Sequence, residues 1–293
     1  MKIAVAQYRI GTPGCFAAFA DRAGTRIAMV AREGVQMIVL PEYLSLELAA
    51  ALPAEVCGDF VRSLAALQPY HDDYLALARE LARRHAIYLV AGTFLLDTGD
   101  GRYRNRAYFV SPEGGVAFQD KLTLTGFERD AGVIEWGDAL KVFDTAFGRV
   151  GIDICYDVEF PLYAHAQVEA GARAILVPSC TDTDAGANRV RVGCQARALE
   201  NQIYVACAVT TGDAPWSPAL DVNTGNAAIY TPIDRGFPAD GIAMRADTSA
   251  DWAIADLDLA ALDAFKREAQ VANANDWQAQ LRPAVGRARV ETL

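Results

Sequence analysis

The sequence has only three histidines, His71, His85 and His165, and no Cys-x-x-Cys pair among its six cysteines. Zinc sites are built from clustered Cys and His, so that pattern speaks against one. Cys15, Cys57, Cys155, Cys180, Cys194 and Cys207 stand singly along a long chain. Their plain reading is reduced thiols, mostly small core residues, and not a disulfide framework. Basic residues are also few: 27 Lys and Arg stand against 37 Asp and Glu, for a net charge of −10. A general nucleic-acid binder needs a basic face to neutralise phosphates, so none is expected here. Long hydrophobic runs are missing as well. The most apolar stretch, Ile87–Leu96, is interrupted by Gly92 and Thr93. It falls far short of the roughly 20 residues that span a bilayer. The opening MKIAVAQYRI carries one Lys and a short apolar run. It reads as a strand and not as a signal peptide, so the expectation is a cytoplasmic protein with no membrane partner.

What is present is ordinary globular material. The 293 residues are 52% hydrophobic and 22% charged, enough to bury a core without staples. Strand and helix patterns alternate. Phe16–Arg32 has helical spacing, with Phe16, Phe19, Ala23, Ile27 and Val30 on one stripe. Gln36–Leu40 is a β-branched strand ending at Pro41. Tyr70–His85 is an amphipathic helix and Ile87–Phe94 a buried strand. Arg102–Val110, Gly115–Gln119, Leu140–Asp144 and Arg149–Cys155 read as strands with glycine turns between them. Helices at Phe160–Ala170 and Ala185–Glu200 then alternate with strands at Ala174–Pro178 and Ile203–Val209. Further strands at Ala227–Thr231, Gly241–Arg245 and Trp252–Leu257 precede a helix at Leu257–Gln270. This order predicts mixed sheets covered by helices. Periodicity fades after Ala269, which divides the chain into a domain at 1–269 and a tail at 270–293, a loose end or an arm for a partner.

Three residues invite a chemical reading. Cys155 ends a strand-like segment, GIDIC, just before a helix signal. A strand-to-helix turn exposes a side chain at the sheet edge and aims backbone N–H groups at whatever it attacks. Position alone does not separate such a nucleophile from a core cysteine. None of the histidines sits in a motif that pairs it with a thiol, so a carboxylate becomes the candidate base. Glu42 directly follows the apolar strand MIVLP, at the carboxyl end where α/β active sites lie; an acid at a helix start is the bland alternative. Lys121 opens the loop DKLTLTGFERD after a strand. Alone it reads as a surface lysine, and beside a reacting group as a fixed cation.

Together the three carry a resemblance. VLPEY with Glu42, QDKLTLTGFE with Lys121 and GIDICYDVEFP with Cys155 resemble the Glu-Lys-Cys signature of the nitrilase, or carbon–nitrogen hydrolase, superfamily. Order and spacing agree, with 79 residues from Glu42 to Lys121 and 34 from Lys121 to Cys155. IAVAQ, GARAILVPS and QARALENQIYV are also similar to that family, so the likeness spans about residues 1–260. It implies an α/β fold of αββα sandwich type and catalysis without metal or organic cofactor. It further implies Glu42 as general base and acid, Lys121 as oxyanion stabiliser and Cys155 as nucleophile. Glu128 matches a second acid that positions substrate or lysine, and the Tyr156 backbone N–H would complete an oxyanion hole. The chain departs from the usual pattern at Thr123, Glu159 and Leu162, and several loop phrases resemble a bacterial amidase-like branch. The expected reaction is hydrolysis of a small amide through a Cys thioester. A nitrilase, an N-carbamoyl amide hydrolase and a catalytically silent binding protein of the same fold are the alternatives. Cys180, Asp182 and Trp216 are candidate pocket residues, with Tyr70 and Arg189 as pocket or interface residues. The expected partners are a small amide or nitrile and a second copy of the chain.

Overall fold

The computed structural model describes residues 1–292. Thirteen strands form two sheets. The first holds β1 (Lys2–Arg9), β2 (Met37–Leu40), β3 (Tyr88–Gly99), β4 (Arg102–Val110) and β5 (Val116–Asp120), with the short β6 (Ile134–Glu135) beside β4. The second holds β7 (Val142–Thr145), β8 (Gly148–Ile152), β9 (Ala172–Ser179), β10 (Tyr204–Thr211), β11 (Ala228–Tyr230) and β12 (Ile242–Arg245). β13 (Trp252–Asp256) returns to pair with β1. The centres, β1-β2-β3 and β8-β9-β10, are parallel, and the flanks are antiparallel hairpins. Parallel strands buried on both faces read as continuous apolar runs. MIVL of β2 and AILV of β9 are fully buried in this way.

The last residues of β1, Gln7–Arg9, pair with Val209–Thr211 of β10 and join the sheets at one end. Elsewhere the sheets face each other, with β2 and β3 packed on β9 and β10. The helices Phe16–Ala31 and His71–His85 cover the first sheet, and Pro161–Glu169 and Asp184–Asn201 cover the second. The molecule is therefore an αββα sandwich. The helix Phe16–Ala31 buries Phe19, Ala23, Ile27 and Val30, four of the five residues on the predicted stripe. Phe16, at its open end, stacks on Tyr70 instead. No helix among the described residues is long and apolar enough to cross a membrane.

Two expected elements differ, and one unassigned segment is helical. The strand read as Arg149–Cys155 ends at Ile152, because Cys155 turns into the left-handed region with φ 50° and starts a 3-10 helix, Cys155–Glu159. The helix read as Leu257–Gln270 is only Leu262–Glu268, since Asp258 caps the backbone at Ala261 and forms a turn first. Between β2 and the His71 helix, residues unassigned from the pattern form helical turns at Leu44–Ala51, Ala54–Cys57 and Phe60–Leu67. In the tail, Trp277 stacks on His165 of the chain's own Pro161–Glu169 helix at 3.9 Å between ring centroids.

Candidate active site

Glu42 and Lys121 each leave the first sheet at a strand's carboxyl end. Glu42 follows β2, and Tyr43 makes a sharp corner there with φ 60°. The corner is held by the Tyr43 N–H, which donates to Thr93 Oγ1 of β3 at 2.8 Å. Lys121 follows β5, with its N–H bonded to the Asn105 carbonyl at 2.9 Å. Arg106 grips the preceding Asp120 with two bonds of 2.7 and 2.9 Å, which fixes the end of that strand. Glu128 lies on the short helix Gly126–Asp130, where Thr125 and Glu128 cap each other reciprocally.

These side chains meet in a dry corner. Lys121 Nζ lies 2.8 Å from Glu42 Oε1 and 2.8 Å from Glu128 Oε2. All three side chains are 1% exposed or less. Asn105 Nδ2 donates to Glu42 Oε1 at 2.8 Å and to Glu128 Oε1 at 3.0 Å. Tyr43 donates its hydroxyl to Glu128 Oε1 at 2.8 Å. The other oxygen of Glu42 accepts the Cys180 backbone N–H at 3.1 Å. Cys155 is buried nearby, accepting from the Ser179 hydroxyl at 3.3 Å and donating to the Cys180 carbonyl at 3.4 Å. The turns that carry Lys121 and Cys155 are tied by Asp157, whose carboxylate accepts the N–H groups of Leu122, Thr123 and Ile154. Among the described residues, nothing accepts a hydrogen bond from the Tyr156 N–H.

The electrostatics follow from burial and pairing. Burial pushes the Glu42 carboxyl above its ordinary range, and Lys121 offsets only part of that. Burial acts the same way on Glu128, but Lys121 and the bonds from Thr125 and Asn105 outweigh it and hold Glu128 below its usual value. Burial alone would lower Lys121, yet Glu128 and Glu42 raise it well above the ordinary lysine range. Burial and then Glu42 raise the Cys155 thiol. The corner therefore holds a permanently charged lysine, an ionised Glu128, and a Glu42 that accepts protons more readily than a surface carboxylate.

The carbon–nitrogen hydrolase family model matches residues 2–267. The chain belongs to the carbon–nitrogen hydrolase family. It is 31% identical, over 94% of its length, to the probable hydrolase YhcX of Bacillus subtilis, and it spans 53% of that protein. It is 28% identical to a nitrilase of Pyrococcus abyssi, covering 82% of this chain and 83% of that one. Among solved structures, a variant of the amidase from Nesterenkonia AN1 superposes with a TM-score of 0.68 at 24% identity, over 92% of this chain and 95% of that one.

In this family member, Glu42, Lys121 and Cys155 line one cleft of about 250 Å³. Tyr156, Cys180, Asp182 and Arg189 line it too. Glu128 stands behind Lys121, closed off from solvent. Trp216 is not among the lining residues. Its loop folds back through bonds from Ala214 to Leu220 and Asp221, which turns Pro218, Ala219 and Asp221 toward the cleft and leaves Trp216 half-buried against the core. Cys180 aims its thiol at Asn223, 3.4 Å away, and burial pushes it up to about 12. The histidines lie elsewhere: His71 bonds the Tyr108 hydroxyl at 2.6 Å, and His165 stacks on Trp277. Cys57, Cys194 and Cys207 are buried packing residues as expected, but Cys15 is exposed at the start of its helix. Sequence reasoning missed Asn105, an unremarked residue inside β4, and Asp157, whose bonds join segments 34 residues apart.

Proposed function

We propose that this chain hydrolyses the carbon–nitrogen bond of a small amide through a thioester on Cys155. The observation that carries the reading is Lys121 held 2.8 Å from both Glu42 and Glu128 in a desolvated corner of the cleft that also holds Cys155. A buried ionic cluster costs several kcal/mol in desolvation, and a silent binding protein has no use for one beside a thiol. Glu42 takes the thiol proton as Cys155 Sγ attacks the amide carbonyl. Negative charge then develops on the carbonyl oxygen, which faces Lys121 Nζ and the unengaged Tyr156 N–H. Removing one such donor costs on the order of 10²–10³ in rate. As the carbon–nitrogen bond breaks, Glu42 returns its proton to the leaving ammonia or amine. It next removes a proton from water that attacks the thioester, and finally reprotonates the departing thiolate. Glu128 keeps Lys121 charged and in place. The amidase and nitrilase among its relatives agree with a small carbon–nitrogen substrate. Unpaired thiols, including the proposed nucleophile, suit a reducing compartment such as the cytoplasm.

The test is a panel of amides and nitriles read by mass spectrometry of the intact protein. An amide substrate should leave an acyl adduct on Cys155, whereas a nitrile would leave a thioimidate. Cys155→Ala should abolish turnover and Cys180→Ala should leave most of it. Turnover that survives in Cys155→Ala would sink the assignment.

A further inference from the structure

On the far side of Thr181 and Val190 from the cleft lies a second recess, of about 320 Å³. Its walls come from the helix Asp184–Asn201 and from β10, β11 and β12. Two guanidiniums project there, Arg191 from the helix and Arg245 from β12. Arg191 donates to Asn188 Oδ1 at 3.2 Å and to Gln195 Oε1 at 3.4 Å. Arg245 donates to Asn226 Oδ1 at 2.6 Å. All of these acceptors are uncharged, so neither cation is neutralised, although the chain as a whole carries a charge of −10. The recess does contain one acid, Asp184, but its carboxylate is engaged by the Thr224 hydroxyl at 3.0 Å.

A third group points the same way. Tyr230 is 2% exposed and lines the recess, yet its hydroxyl bonds to nothing among the described residues. That oxygen is not sealed off from the recess, so it is free to donate to a group that enters. Burial and then the Cys194 and Cys207 thiols raise the phenol, while Arg191 and Arg245 both act against that rise. Both guanidiniums and the phenol line the same recess. Two planar cations and one phenol form a donor-rich set matched to an oxyanion.

We propose that this recess binds a small oxyanion, a carboxylate or phosphate group, separately from the catalytic cleft. Its nearness gives occupancy a route to the reaction. Ser179, whose hydroxyl bonds Cys155, lines the recess, and Thr181 and Val190 form a wall common to both cavities.

The test is calorimetric titration of the full chain with inorganic phosphate and, separately, with succinate, at constant ionic strength. Saturable binding of at least one is expected. Arg191→Gln and Arg245→Gln should each weaken it about tenfold or more, and Tyr230→Phe by less. Arg189→Gln, at the mouth of the catalytic cleft, should leave it unchanged. Arg245 is exposed, so its variant keeps the test valid should Arg191→Gln unfold. Binding of one anion and not the other identifies the group. The proposal is overturned if neither anion binds saturably, if both arginine variants bind like the parent, or if Arg189→Gln alone abolishes binding.

Discussion

Asn105 serves both carboxylates of the corner at once, donating to Glu42 and to Glu128 through one amide nitrogen. Asn105→Ala leaves each acid short of a donor. It should cost about 1–3 kcal/mol in stability and lower kcat/KM roughly ten- to a hundredfold. Thermal unfolding and steady-state kinetics on the same preparation separate the two effects. Asp153 is the other informative residue. It is fully enclosed two positions before Cys155, and neither carboxyl oxygen has a well-formed hydrogen bond among the described residues. Burial, then the adjacent Asp157, push it up to about 8. A carboxyl raised in the folded state binds its proton more tightly there than when unfolded. Its contribution to stability is thus complete below pH 4 and is lost as pH rises toward 8, at up to about 1.4 kcal/mol per pH unit. Asp153→Asn keeps the shape and cannot ionise. Its melting temperature relative to the parent should rise steadily between pH 4 and pH 8. A difference that stays flat across that range would mean Asp153 is not protonated in the fold.

At the scale of elements, the site depends on how each strand ends. β2 delivers Glu42 only because the following corner packs against Gly92 of β3. Gly92 has φ 74°, and a Cβ there would meet the Pro41 carbonyl at 2.6 Å and Leu44 Cβ at 2.8 Å. Gly92→Ala combines backbone strain with a clash against the chain that carries Glu42. It should destabilise the protein by about 2 kcal/mol or more and depress kcat further than the stability loss explains. Denaturant unfolding with kinetics at low temperature checks this. Cys155 shows the same dependence, since its left-handed backbone is strained for a residue with a Cβ. Asp157 supports that turn by accepting three backbone N–H groups around it. Such ends are hard to read from a pattern. Apolar runs mark where a strand is buried, whereas the last paired residue is set by a single torsion angle.

For the whole molecule, the outer helices of the second sheet expose apolar side chains, Leu162 at 67% and Val192 at 53%. A dimer that covers this face should give a light-scattering mass near twice 31.6 kDa. Leu162→Asp combined with Val192→Asp should reduce it to the monomer, and a monomeric parent would refute the dimer. The sequence by itself determined mixed sheets covered by helices, because its buried strands and amphipathic helices alternate with periods that local geometry imposes, and the family resemblance added the sandwich arrangement. It also singled out Glu42, Lys121 and Cys155, because their motifs lie in a recognisable order just past strand ends. Only the tertiary structure decided that Asn105 bridges two acids, that Asp157 ties the Lys121 loop to the Cys155 turn, and that Trp216 packs on the core while its loop neighbours face the cleft. Those facts depend on contacts between residues far apart in the chain, and on torsions at single positions. Periodicity records which face of an element is buried; it carries no record of what meets that face.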